Sequence, residues 1–136
     1  MSALLEKTPI TFALDEQSKE IGLVARAPEG VRSFLPKRSS RGEYQEVYGL
    51  ISVLPSDSTP DSRHTVVVFS GLTSVGTHGA AAFFTTPANL RGLAERFAKE
   101  GVHGWPRSYQ VVVRCRASED TQLLSYEYET HRILAR

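Results

Sequence analysis

The chain has 136 residues, of which 40% are hydrophobic and 23% are charged, and its formal net charge at pH 7 is +1. This length predicts one domain, residues 1–136, which can bury a core without the help of disulfides or metal ions. The balanced charge excludes a strong overall attraction to nucleic acid or to an anionic membrane surface.

Cysteine usage and the N-terminus bear on the compartment of the protein. Cys115 is the single cysteine, so no internal disulfide can form, which fits a reducing environment. The N-terminal residues lack the basic start and apolar core of a secretory signal, and no apolar run approaches the length of a membrane span. We therefore expect a cytoplasmic protein that has no membrane partner.

The first third of the chain predicts a β-hairpin followed by an irregular loop. Apolar residues alternate with polar or small ones over residues 10–14 and 21–25, and the polar stretch DEQSKE between them is typical of a turn. Residues 27–46 show no regular period and are interrupted by prolines and glycines, which predicts one long irregular loop. A basic cluster in this loop is interpreted as solvated rather than as a nucleic-acid contact; it comprises Arg32, Lys37, Arg38 and Arg41.

The middle of the chain predicts two strands, a glycine-rich turn and two helical stretches. Residues 47–55 are apolar, and residues 64–70 form the strongest β-branched run in the sequence. Such continuity is typical of a central strand that is covered on both faces, as in an α/β sheet. Small residues after the turn favour a first helical stretch. The main helix is predicted to begin at Pro87, with Thr86 as its N-cap, and to end at Gly101.

The last third of the chain predicts two strands, residues 108–116 and 123–134, that pair as a hairpin. In this hairpin, opposite charges would face each other across the strands and stabilise the pairing modestly. The residues concerned are Arg114, Arg116, Glu127 and Glu129. Together, the elements predict a single α/β domain, with α+β as the alternative, built on a mixed β-sheet with β-hairpins at both chain ends.

The glycine-rich turn, residues 71–78, is the candidate binding site. Gly71 and Gly76 have the spacing of the first two P-loop glycines, but Thr77 and His78 stand where Lys and Ser or Thr are needed, so nucleotide hydrolysis is not expected. A helix N-terminus here could still bind an anion, and a tight turn packed on the sheet is the alternative. The candidate ligand-binding residues are Ser70, Gly71, Thr73, Ser74, Gly76, Thr77 and His78.

No catalytic residue, metal site or cofactor is predicted. The nucleophile elbow G-x-S-x-G is absent, and a hydrolase would have to combine Ser70 or Ser74 with His78 and a distant acid. No pair of histidines has the spacing of a metal motif, and one cysteine cannot build a zinc site. Cys115 is interpreted as a small core residue rather than a reactive thiol.

Three stretches of the sequence together resemble a bacterial protein family. These stretches are YGLISVLPS, HTVVVFSGLTSVGTHGAAAFFTTPANLRGLAERF and YQVVVRCR. From about Ile10 onward, the chain resembles the C-terminal region of acidobacterial proteins of unknown activity, many of which carry an N-terminal winged-helix DNA-binding domain. The family's G-T-x-x-A-A turn corresponds to Gly76, Thr77, Ala80 and Ala81. The resemblance implies a regulatory α/β domain, but no winged helix can be read before Ile10, so direct DNA binding does not carry over.

The function expected from the sequence is that of a non-enzymatic regulatory or protein-interaction domain that forms a homodimer. Exposed edge strands would leave surface for a partner to cover. The alternative is a domain that binds an anionic or nucleotide-like small molecule at the glycine-rich turn, and a small hydrolase is a third hypothesis.

Overall fold

The computed structural model describes residues 10–27, 30–55 and 65–136. Within them, 52% of residues lie in strands and 21% in helices, and all strand pairings are antiparallel. The predicted α/β class and mixed sheet are therefore wrong, and the fold is dominated by antiparallel sheet. The physical reason is that both helices follow one another between two strands instead of alternating with strands, so no parallel crossover forms.

The strands form two sheets. The smaller sheet has three strands in the order β1-β2-β3, namely β1 (Ile10–Leu14), β2 (Ile21–Ala27) and β3 (Gly30–Phe34). The larger sheet has five strands, namely β4 (Lys37–Arg38), β5 (Tyr44–Pro55), β6 (Thr65–Gly71), β7 (Ser108–Ala117) and β8 (Leu123–Ala135). The two helices between β6 and β7 are α1 (Ser74–Phe84) and α2 (Pro87–Lys99).

The larger sheet is the middle layer of the molecule, with both helices on one face and the smaller sheet on the other. Because successive strand residues point to opposite faces, β5 and β7 supply both cores. The core on the helix face includes Val47, Ile51, Val53, Val111 and Val113 with Val75, Phe83, Leu93 and Phe97. The core on the opposite face combines Leu50 and Val112 with Ile10, Leu23, Ala25 and Phe34.

Gln110 in β7 joins the two sheets through hydrogen bonds. Its side chain is fully buried. Its Oε1 accepts the backbone N–H of Ile10 at 3.1 Å, and its Nε2 donates to the Ile10 carbonyl at 3.0 Å and to Ser52 Oγ at 3.1 Å. The amide side chain thus pairs with β1 as a strand backbone would, which satisfies polar groups inside an apolar layer.

Both terminal hairpins are present with the expected pairing. In the first, Ile10, Phe12 and Leu14 lie opposite Ala25, Leu23 and Ile21. In the second, β7 pairs with β8 along its whole length, with three irregularities in register. The main helix begins at Pro87 with Thr86 in the N-cap position, and Gly101 follows it with φ +86°, as the sequence predicts.

The predicted irregular loop over residues 27–46 is wrong, because this segment contains β3, β4 and the start of β5. Strand β3 pairs with β2, with Phe34 opposite Leu23. The β4–β5 turn is held by Arg38, which donates to the Gly42 carbonyl and to Tyr44 Oη at 2.7 Å each and also pairs with Glu20. A basic residue of the loop is therefore part of the structure. The β2–β3 pairing is a local hairpin, which the weak alternation of residues 30–34 does not reveal.

The predicted central position of residues 64–70 is also wrong. Among the described residues, β6 pairs with β5 alone and so lies at the edge of the larger sheet. The order of the strands places β5 and β7 in the middle and β8 at the opposite edge. No helix in the described part of the chain is long and apolar enough to span a bilayer.

Candidate functional site

The predicted glycine-rich turn, residues 71–78, is mostly helix: Gly71 ends β6, residues 72–73 make the connection, and α1 begins at Ser74. Its glycines pack against the sheet. Neither Gly71 nor Gly76 has a positive φ, so their role is not a left-handed turn conformation. A Cβ atom on Gly71 would lie 2.5 Å from the Thr77 nitrogen, and one on Gly76 would lie 2.7 Å from the Tyr48 carbonyl oxygen. The start of α1 therefore lies against the backbones of β5 and β6, closer than any residue with a Cβ would permit.

The hydroxyl groups near this turn do not converge on a common point. Ser70 Oγ donates to the Leu50 carbonyl at 3.5 Å, and Thr77 Oγ1 donates to the Thr73 carbonyl at 3.5 Å. Thr73 is the N-cap of α1 but makes no capping hydrogen bond, and its buried Oγ1 has no partner among the described residues. Of the seven candidate residues, Ser74 and His78 are the exposed ones.

The structure adds no support to a hydrolase at this turn. His78 lies on the exposed side of α1, and within the described ranges no carboxylate forms a hydrogen bond or ion pair with it. A general base normally needs such a partner to fix its ring. Anion binding at the turn stays a prediction, and the glycine pattern that suggested it has a structural explanation in close packing.

Cys115 lies in the core, as the sequence analysis expects. Its side chain is fully buried, packed beneath α1. Burial raises the pKa of the thiol to about 11, with a smaller opposing contribution from the backbone of Gly49. The thiolate, which is the reactive form, is therefore scarce at neutral pH.

A polar cluster that the sequence analysis did not find joins the end of α2 to β8. His131 Nδ1 lies 2.7 Å from Tyr128 Oη, and His131 Nε2 contacts Glu100 Oε2. The Arg96 guanidinium lies 3.7 Å from the centre of the Tyr128 ring, and Phe97 packs edge-on against the His131 ring. Burial is the main cause of the raised pKa of Tyr128. The cluster anchors the helix end on the sheet.

A bulge in β8 explains why this cluster is invisible in the sequence. Val112 lies opposite Thr130 and Val113 opposite Tyr128, so Glu129 is the extra residue. The bulge lets Tyr128 and His131, three positions apart, point to the same face, whereas regular alternation would separate them. Regular alternation in the sequence therefore predicts the wrong face for His131.

On the opposite face, the charged pairs of the last hairpin are structural. Arg114 forms an ion pair with Glu127 and lies 4.0 Å from Glu129. Arg32 of β3 lies 3.9 Å from Glu129, so this carboxylate is shared between the two sheets. Arg116 lies opposite Ser125 instead, so only one of the two predicted arginines makes the expected contact.

Two further surface features are candidate interaction sites. One is the β6 edge, defined as residues Thr65–Gly71, which contains no charged residue and leaves Val67 39% exposed. The other is a groove of about 390 Å³ between β3 and β8, hereafter the β3–β8 groove. Its lining residues are Ile10, Ala25, Gly30, Val31, Arg32, Phe34, Thr130, His131 and Arg132.

Comparison with protein-family models finds no match, and comparisons with curated proteins and with solved structures find none either. The resemblance to the acidobacterial proteins stays a prediction.

Proposed function

We propose that this chain is a non-enzymatic interaction domain that forms a homodimer through the β6 edge. The observation that carries the proposal is a mismatch between the composition of β6 and its position. Its sequence, TVVVFSG, is that of a strand buried inside a sheet, yet β6 pairs only with β5 among the described residues. An uncharged apolar edge strand is a template for pairing with another chain.

The partner strand that fits this edge is β6 of a second copy. Antiparallel pairing centred on Val68 sets Val67 opposite Phe69, Val66 opposite Ser70 and Thr65 opposite Gly71. Residues that are opposite each other share a face, so Val67 meets Phe69 and Val68 meets Val68 of the second copy. The flanking pairs are small or polar, and no like charges meet. The two larger sheets become one continuous sheet, with the helices of both copies on the same side.

The other edge of the larger sheet, strand β8, is less suited to pairing with a second copy than the β6 edge. Strand β8 carries Glu127, Glu129 and Arg132 and has an irregular register with β7. Charges and bulges on an edge strand discourage pairing with another chain. The β6 edge lacks such charges, and its register with β5 is regular over seven residue pairs.

A small-molecule site at the glycine-rich turn has less support. Gly71 and Gly76 serve close packing, and among the candidate residues only Ser74 and His78 are exposed, the others being half-buried or buried. We propose the cytoplasm as the compartment, because a single cysteine permits no internal disulfide, which fits a reducing environment.

The experiment that tests the proposal is a measurement of mass in solution for the wild type and two matched variants. The chain has a mass of 15.0 kDa, and sedimentation equilibrium should give twice this value for the wild type. Val67→Lys puts two charges into the paired edge and should give the monomer mass. Leu124→Lys changes a 63% exposed residue of β8 and should stay dimeric. Circular dichroism checks that both variants are folded.

A disulfide crosslink tests the register of the proposed pairing between the two copies of β6. Val68→Cys places two thiols opposite each other across the twofold axis, at a spacing that a disulfide can bridge. Mild oxidation should give a crosslinked dimer, whereas Leu124→Cys should not. A monomeric wild type, or equal masses for Val67→Lys and the wild type, would overturn the proposal.

A further inference from the structure

The β3–β8 groove has the size and lining of a small-molecule site. Its volume of about 390 Å³ lies within the usual range for ligand pockets, roughly 300–1,000 Å³. The buried residues Ile10, Ala25 and Phe34 supply an apolar floor. The polar lining side chains come from two elements that lie far apart in sequence, which is why no local motif marks the groove.

The charge of the groove is positive. Arg32 and Arg132 both line it, and no carboxylate residue is among its lining residues. Arg32 lies over the Phe34 ring, 4.8 Å from its centre, and its ion pair with Glu129 is long at 3.9 Å. Glu129 is also shared with Arg114, so it neutralises Arg32 only in part.

Arg132 is the second cation and has no carboxylate partner within the described ranges. The residue is half-buried rather than freely solvated, and it lines the groove. Thr130, two residues earlier, points to the same side of β8 and adds a hydroxyl. A half-buried guanidinium without a counterion favours an anion in its neighbourhood.

We propose that the β3–β8 groove binds a small organic carboxylate. Arg132 and Arg32 would hold the carboxylate, Thr130 would donate a hydrogen bond to it, and the apolar body would lie on Phe34 and Ile10. Planar guanidinium groups fit carboxylates through paired N–H donors, and the apolar floor distinguishes such a ligand from inorganic anions. The groove lies at the edge of the larger sheet opposite β6, so it stays open in the proposed dimer.

The test is an NMR titration of the isotopically labelled wild type with 4-phenylbutyrate, and with 4-phenylbutyramide as the uncharged control of the same shape. We expect saturable amide shifts at residues 31–34 and 130–132 with the carboxylate, with a Kd on the order of 1 mM for a ligand of this size. The amide should bind at least roughly tenfold more weakly, because the charge-assisted hydrogen bonds are lost.

Matched variants test whether the two arginines of the groove bind the carboxylate. Arg132→Gln should weaken 4-phenylbutyrate binding roughly tenfold or more, and Arg32→Gln should also weaken it. Arg91→Gln, on the exposed face of α2, should bind as the wild type does, and the spectra report whether each variant is folded. Equal binding of acid and amide, unchanged binding to both groove variants, or no saturable shift up to about 10 mM would overturn the proposal.

Discussion

Gly79 in α1 lies directly against the side chain of Cys115 in β7. A Cβ atom on Gly79 would come within 3.0 Å of Cys115 Sγ. Together with Gly71 and Gly76, this contact sets the distance between the helix layer and the larger sheet. The size of the side chain at position 79 is therefore coupled to the size of the side chain at position 115.

We expect Gly79→Ala to lower the free energy of unfolding by about 1–3 kcal/mol, the usual cost of overpacking a core. Cys115→Ala removes the sulfur that the new methyl group would meet, so the double variant should lose less than the sum of the two single variants. Urea unfolding of all four proteins measures this coupling. Additive losses would show that the two residues do not press on each other.

Gly92→Ala is the matched substitution in the neighbouring helix and should have the opposite effect. No atom lies within 4 Å of a Cβ placed on Gly92, which occupies the interior of α2. Alanine lacks the conformational cost of glycine in a helix, so the variant should gain about 0.5–1 kcal/mol. The measurement is the thermal midpoint, with an expected rise of roughly 2–5 °C. A fall would mean that the position is more crowded than the structure indicates.

Stability should decline at alkaline pH because a buried thiol and a buried phenol keep their protons in the folded chain. Burial raises the pKa of Cys115 to about 11 and that of Tyr109 to about 12, from ordinary values of 9.0 and 10.0. Above pH 9.0 the unfolded chain releases these protons first, so the free energy of unfolding falls as pH rises towards about 12.

Urea unfolding at a series of pH values across this window checks the alkaline prediction. In Cys115→Ala the thiol contribution is absent, so the decline should begin only as tyrosine starts to titrate. A free energy of unfolding that is constant across the window would contradict the assigned burial of both groups.

Replacing Gln110 should loosen the smaller sheet. Gln110→Leu keeps the volume similar but removes two hydrogen bonds to the Ile10 backbone, and each buried hydrogen bond contributes about 0.5–1.5 kcal/mol. Ser52→Ala removes a single side-chain acceptor and should cost about 1 kcal/mol or less. Denaturant unfolding ranks the two variants, and hydrogen exchange in β1 and β2 should rise more in Gln110→Leu. Equal effects would indicate that Gln110 does not hold β1.

Local patterns in the sequence predict the elements whose contacts are local. The first hairpin follows from the alternation at Ile10, Phe12 and Leu14, and α2 follows from Pro87 and Gly101. Residues close together in the sequence determine where these two elements form. A short stretch of sequence is therefore enough to predict them. The order strand, glycine-rich stretch, helix follows from the sequence, but the predicted turn over residues 71–78 is too long, because α1 begins at Ser74. The sequence cannot distinguish close packing of these glycines from ligand binding.

Positions within a sheet are set by distant residues, and there the predictions are wrong. The apolar run of β6 predicts a strand but does not show whether a second strand lies beside it, and no residue of β6 is fully buried. Strand β3 is a separate case: its contacts with β2 are local, but its weak alternation between prolines and glycines does not predict a strand. The β3–β8 groove combines Arg32 and Arg132, and neither carries a local pattern that points to the other.

The pairing of β5 with β7 has a consequence for how the chain folds. Glu46 lies opposite Arg116 and Val53 opposite Tyr109, so the central pair joins residues roughly sixty positions apart, with β6 and both helices enclosed between them. The entropy of closing that loop must be overcome before the central pair contributes to stability. We expect slow folding, in milliseconds to seconds, during which β5 and β6 exist as an isolated hairpin with both faces open to water.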